Sequence, residues 1–135
     1  MKATSVYLHF EGSCREAMTF YGQCFGTTSG FTTYGDSPPG EIAGADQSPD
    51  LIMHAELACP GLHLMASDVL PGDDFIAGTN FSISVQCESN EELERLYLAL
   101  MEDGTMDKAL YDAFWGDRIG LLTDKFGVKW MLSFR

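Results

Sequence analysis

The sequence predicts an α+β fold, two tandem β-α-β-β-β modules forming a partly open barrel around a cavity, and three observations predict it. Two stretches about 76 residues apart repeat one another, both open on an alternating strand, and both continue through Ser-x-x-Glu into a helical apolar stripe. At 135 residues the chain reads as one domain, 1–135, with module 1 over about 1–70 and module 2 over about 78–135.

In order along the chain, Val6 to Phe10 alternates with period two and is the first strand. Ser13-Cys14-Arg15-Glu16 is expected to form a capping box, and Ala17, Phe20, Tyr21 and Cys24 form the stripe of a helix that Gly26 ends. Two strands follow, about Thr27 to Tyr34 and Leu51 to Ala58, with a Gly-, Pro- and Asp-rich loop from Gly35 to Asp50 between them, expected to be a mobile cover. Gly61 to Ser67 closes the first module. The second module repeats the series with Phe81 to Val85, a box at Ser89 to Glu92, and the stripe Leu93, Leu96, Tyr97 and Leu100 ended by Gly104. Strands at about Thr105 to Asp112, Arg118 to Thr123 and Gly127 to Ser133 follow. Each four-stranded sheet has one face on its helix and the other bare, and two such modules resolve this by curving around a shared cavity. Parity sends Val6, Leu8 and Phe10 to the helix and Ser5, Tyr7, His9 and Glu11 inward. In the repeat Phe81, Ile83 and Val85 face the helix, and Asn80, Ser82, Ser84 and Gln86 face inward.

Twenty acidic against eight basic residues, a net charge of −12, disfavour nucleic-acid binding, because there is no Lys/Arg cluster to neutralise phosphates. No apolar run has the length of a signal or membrane segment, so a cytoplasmic protein with no membrane association is expected. Cys14 and Cys24 lie about 15 Å apart along one helix, too far to bridge. With Cys59 and Cys87 also lacking a close partner, four free thiols are expected.

The segments Tyr7-Leu8-His9-Phe10-Glu11-Gly12, Glu16-Ala17 to Phe20-Tyr21, Met53-His54-Ala55, Leu64 to Asp68, Phe114-Trp115-Gly116 and Thr123 to Met131 run through the whole chain. Through them the chain resembles the vicinal-oxygen-chelate superfamily of glyoxalase I, extradiol dioxygenases and bleomycin-resistance proteins, and within it the PhnB-like group. The resemblance implies a homodimer, with exchange of modules between chains left open. It also implies a divalent metal, whose four ligand places fall here at Ser5, Met65, Asn80 and Met131, the first-strand register being open by one residue. Two thioethers, a hydroxyl and an amide do not supply the charge a hard or borderline divalent ion prefers, so no metal or other cofactor is expected at that site. A divalent metal displaced to His54, Glu56 and His63, with His9 nearby, is the alternative. Members of the group are also labelled methyltransferase-like, but no Gly-rich strand-to-helix turn of a dinucleotide-type methyl-donor site is present.

The residues expected to line a ligand site are Tyr7, His9, His54, Glu56, Met65, Asn80, Ser82, Trp115 and Met131. Met65 and Met131 would give an adaptable apolar floor, and Trp115 is open between a cavity wall and barrel filling. Asp124 reads as a turn-former in Asp124-Lys125-Phe126-Gly127, Trp130 as core, and Glu11, Glu56 and Asp68 as acids of a solvated rim. Two functions compete. The first is a metal-independent small-molecule-binding protein, acidic enough to favour a cationic or amine-bearing ligand. The second is a lyase, isomerase or dioxygenase, metal-dependent or using His54 and Glu56 as acid/base catalysts.

Overall fold

In the computed structural model, which describes residues 1–135, the chain divides into two compact units, Met1–Ile76 and Ala77–Arg135. The first unit runs β1 (Val6–Phe10), α1 (Cys14–Phe25), β2 (Gly30–Thr33), β3 (Ile52–Cys59) and β4 (Leu62–Asp68). The second runs β5 (Ile83–Gln86), α2 (Asn90–Met101), β6 (Thr105–Asp112), β7 (Arg118–Thr123) and β8 (Lys129–Phe134). Their strands pair as two separate four-stranded sheets, ordered β1-β4-β3-β2 and β5-β8-β7-β6, so the sheets are not closed into a barrel. In each, the first strand lies parallel beside the last and the remaining pairs are antiparallel, the same topology twice.

The core of unit 1 lies between the sheet and α1. Leu8, Phe10, Ala55, Leu57, Leu64 and Ala66 meet a helix face of Cys14, Ala17, Met18, Tyr21 and Cys24, all buried. Unit 2 places Ile83, Leu122, Trp130 and Leu132 beneath Leu93, Leu96, Tyr97 and Leu100 of α2. A fully buried leucine contributes about 1.5–3 kcal/mol relative to exposure, so these stripes drive docking of the helices.

Several local expectations are corrected. The Ser13 side chain makes no capping hydrogen bond; the N–H groups of Gly12 and Cys14 donate instead to Asp68 Oδ1 at 3.0 Å each. At Ser89 the hydroxyl does cap Glu92 N–H at 3.1 Å, while the Glu92 carboxylate reaches back to Glu88 N–H, one residue earlier than a standard box. Gly26 ends α1 with φ +72° as expected, but α2 stops at Met101, and Asp103, not Gly104, takes the left-handed conformation at φ +57°. Gly104 is required for space instead: a Cβ there would sit 2.4 Å from the Thr123 carbonyl oxygen.

Phe81 and Ser82 fall outside β5, and Phe81 is 64% exposed rather than turned to the helix. With Ile83 opposite Trp130, Phe81 would need Val128, whose carbonyl and N–H are already taken by Asp124 in the turn before β8. Similarly β2 begins at Gly30, because Thr27 N–H donates to the Gly22 carbonyl and the Ser29 hydroxyl to that of Met18, holding this stretch against the helix end. The Gly35–Asp50 loop makes several contacts with its surroundings. It contains two 3-10 turns, at Tyr34–Asp36 and Ala45–Gln47. Its ends are joined by Tyr34 N–H to Leu51 O, Ala45 is buried, and the Tyr34 hydroxyl donates to the Asp68 carbonyl at 2.8 Å.

Candidate ligand-binding face

The face of the first sheet away from α1 collects all three histidines of the chain. This follows from register. Tyr7 and His9 alternate with buried Leu8 and Phe10 on β1, and pair with Met65 and Ser67 of β4. On the other side of β4, Glu56 pairs with Met65 and Ala58 with His63, which puts His54, Glu56 and Ala58 on the same face as His63 and Met65.

Two groups form there. Tyr7 stands between two imidazoles: its ring centroid is 5.1 Å from that of His9 and 5.9 Å from that of His54, and its hydroxyl lies 3.4 Å from His54 Nδ1. The tyrosine is 40% exposed, so this aromatic group faces outward with surface to offer a ligand. Beside it, His63 joins two partners: Nε2 is 2.6 Å from Glu56 Oε2 and Nδ1 is 2.5 Å from Ser5 Oγ. Glu56 is therefore committed to His63, and His54 to Tyr7.

The displaced metal cluster does not assemble, because no three His, Cys, Asp or Glu side chains converge to hold an ion. The superfamily's own metal places fare no better. Ser5 is paired with His63, and Met65 is a half-buried thioether between Tyr7 and Glu56. In the second unit, aligning Trp130 with Leu64 makes Ser82, not Asn80, the counterpart of Ser5, a shift of two residues, and Met131 lies beside Ser84 and Leu121. These donors do not fit a hard divalent ion.

The remaining expected site residues lie in unit 2. Asn80 and Ser82 are exposed in the segment before β5, and Met131 is half-buried on the sheet face away from α2. Trp115 lies on no sheet face. It sits at the tip of the β6–β7 hairpin, 48% exposed, where its indole N–H donates to Asp117 Oδ2 at 2.7 Å and its carbonyl accepts from Arg135. Asp68 is buried, not on a rim: its Oδ2 accepts Ile52 N–H at 2.9 Å in addition to the two bonds at Oδ1. Asp124 forms the expected turn, accepting from Phe126 and Val128 N–H, and also accepts the Trp130 indole N–H at 2.8 Å. The Ser5–His63–Glu56 chain was not anticipated. The alternation of β1 and the Ala58–His63 pairing locate it, but the second relation depends on a hairpin register that the sequence alone leaves free.

All four cysteines are free thiols. Burial first, then the neighbouring Asp68 charge, pushes the Cys14 thiol up to about 12 against a smaller opposing effect of Arg15. Burial and then Glu92 push Cys87 up to about 11, opposed by Arg95. Neither is a nucleophile at neutral pH.

A family model described as 3-demethylubiquinone-9 3-methyltransferase matches residues 2–133. Protein YjdN of Escherichia coli is 28% identical over 96% of this chain and 92% of its own length. Among solved structures, protein PA1353 from Pseudomonas aeruginosa is 38% identical, with TM-score 0.84 over 98% of both chains. A PhnB protein from Bacillus cereus is 28% identical, with TM-score 0.77 over 99% of this chain and 100% of that one. A glyoxalase/bleomycin resistance protein from Albidiferax ferrireducens, 16% identical with TM-score 0.63 over the full length of both, shares the fold. With the repeated β-α-β-β-β units, these matches place the chain in the family described as 3-demethylubiquinone-9 3-methyltransferase, similar to a PhnB protein and sharing its fold with a glyoxalase/bleomycin resistance protein.

Proposed function

We propose that the protein is a metal-independent small-molecule-binding protein whose ligand is an organic cation or amine, held on the open face of the first sheet. The observation that carries this reading is Tyr7 flanked by His9 and His54, a partly exposed aromatic group, since aromatic rings attract a positive centre. The net charge of −12 adds a field that concentrates cations near the surface, and the Met65 thioether gives a neighbouring adaptable apolar contact.

The methyl transfer in the family's description finds no support in the residues. The β1–α1 turn is short, and its Gly12 N–H and the first N–H of α1, that of Cys14, are already bound to the Asp68 carboxylate, whose charge disfavours a second anion there. A lyase, isomerase or dioxygenase working through His54 and Glu56 gains no specific observation, since each side chain is engaged with a different partner.

The test is a thermal-shift screen of untagged protein against amine-bearing metabolites and antibiotics, with and without EDTA. Stabilisation that survives EDTA and is lost in Tyr7→Ala supports the reading. A screen with no stabilising amine, or stabilisation abolished by EDTA, contradicts it.

We further propose, as a separate reading, that the chain is a cytoplasmic homodimer. No helix is long and apolar enough to cross a membrane. Support for self-association comes from the edge strand β6, exposed along nearly its whole length with Met106 and Tyr111 outward, a surface that natural sheets tend to cover. Light scattering giving twice the chain mass at micromolar concentration supports a dimer, and a monomer mass contradicts it.

A further inference from the structure

We propose that Ser5, His63 and Glu56 form a nucleophilic site that accepts an acyl group from small activated carboxylic esters, with Ser5 as nucleophile and His63 as its base. The three side chains make one hydrogen-bonded chain, Ser5 Oγ to His63 Nδ1 at 2.5 Å and His63 Nε2 to Glu56 Oε2 at 2.6 Å. A carboxylate only accepts, so Nε2 carries a ring proton, and in the neutral form of the ring Nδ1 presents its lone pair to the Ser5 hydroxyl. Nucleophile, base and orienting acid are thus within reach of one another, the geometric criterion for an activated serine.

Three adjacent strands build the arrangement. His63 is on β4, Ser5 stands one residue before the Val6–Leu64 pair, and Glu56 lies diagonally across from His63 on β3, where Ala58 is its direct neighbour. The fold does not require it. At the corresponding places of the second sheet stand Ser82, Lys129 and Leu121, which cannot form such a chain. The site is also open to reactants, the His63 and Glu56 side chains being 39% and 52% exposed.

In the acylation step Ser5 Oγ forms a bond to the ester carbonyl carbon, its proton passes to His63 Nδ1, and the bond to the leaving group breaks; the imidazolium then gives that proton to the departing alkoxide, or to water where a phenolate leaves, which frees Nδ1 again. In the return step water attacks the acyl carbon and loses a proton to His63 Nδ1. The Ser5 Oγ–acyl bond breaks, and Ser5 Oγ recovers a proton from the imidazolium. No redox partner enters. Glu56 acts through His63 as a positioning residue.

The experiment exposes the full chain to p-nitrophenyl acetate, follows nitrophenolate release, and maps the acetylated residue by peptide mass spectrometry. The expected result is one acetyl group on Ser5, with Ser5→Ala and His63→Gln slower by roughly 10²-fold. Glu56→Gln lowers kcat with KM unchanged, and Glu56→Asp recovers part of the loss, a split that mere loosening of the sheet would not produce. Acetylation confined to lysines, the N-terminal amine or Cys59, or release unchanged in Ser5→Ala, overturns the proposal. If His63→Gln does not fold, Ser5→Ala, a surface change before the first strand, still decides the matter.

Discussion

Asp68, the last residue of β4, caps α1 through the Cys14 N–H, which it accepts at 3.0 Å, although the two residues are 54 apart in sequence. With Gly12 and Ile52 also donating to the same carboxylate, one buried side chain ties together the start of α1, the turn after β1 and the start of β3.

Replacement Asp68→Asn keeps the volume but removes the charge and offers an NH2 group to backbone donors. Hydrogen bonds to a charged group contribute about 1.5–3 kcal/mol each, and an orphaned buried donor costs about as much. Urea denaturation followed by far-UV circular dichroism should therefore show a loss of about 2–4 kcal/mol. Ser13→Ala, at the nominal cap, should change stability by less than about 0.5 kcal/mol, the range of an uninvolved surface position.

Glycine substitutions should separate space from conformation. Gly104→Ala places a Cβ 2.4 Å from the Thr123 carbonyl oxygen, a backbone atom that cannot swing aside, so the β6–β7 region must shift. Gly61→Ala meets nothing within 4 Å and bears only the cost of its φ of +85°, about 1–2 kcal/mol. Thermal unfolding should rank Gly104→Ala well below Gly61→Ala.

High pH should weaken the fold. The Cys14 and Cys87 thiols have folded values raised to about 12 and about 11, and Tyr34 and Tyr97 are also raised, all chiefly by burial. Between the ordinary thiol value of 9.0 and these raised values the folded state holds protons that the unfolded chain releases. Stability is therefore complete below pH 9 and falls as pH climbs toward 12, by at most about 1.4 kcal/mol per pH unit for each thiol. Denaturation midpoints measured from pH 8 to 11 should decline, and Cys14→Ala should flatten the decline. At neutral pH a thiol reagent should modify Cys59, the one cysteine not buried, before the other three.

The reading of the sequence succeeded where a local pattern decides the outcome. The repeat, the stripe Leu93, Leu96, Tyr97 and Leu100, and the alternation of Tyr7 and His9 with Leu8 and Phe10 depend only on side-chain periodicity, and the structure places them accordingly. It failed where a distant residue overrides a local signal. Ser13-x-x-Glu16 is a sound capping pattern, yet Ser13 sits at φ −104°, ψ 11° with no side-chain cap, and Asp68, from the far end of the unit, holds the Gly12 and Cys14 N–H groups on either side of it. Phe81 has the right parity for a core residue but no strand partner, because the turn at Asp124 consumes Val128. The site was half legible: parity put Tyr7, His9, His54 and Glu56 on one face, while the division into a Tyr7 group and a His63 group depends on strand register and on rotamers.

The central claim, that the Tyr7 group receives a cation, is tested most directly by an NMR titration of protein carrying labelled histidines with benzyltrimethylammonium, an aromatic quaternary ammonium probe. The account predicts saturable shifts of the His9 and His54 ring signals, smaller shifts at His63, and loss of the response in Tyr7→Ala. Ring signals of His9 and His54 that stay in place across the titration, or a response that persists unchanged in Tyr7→Ala, would contradict it.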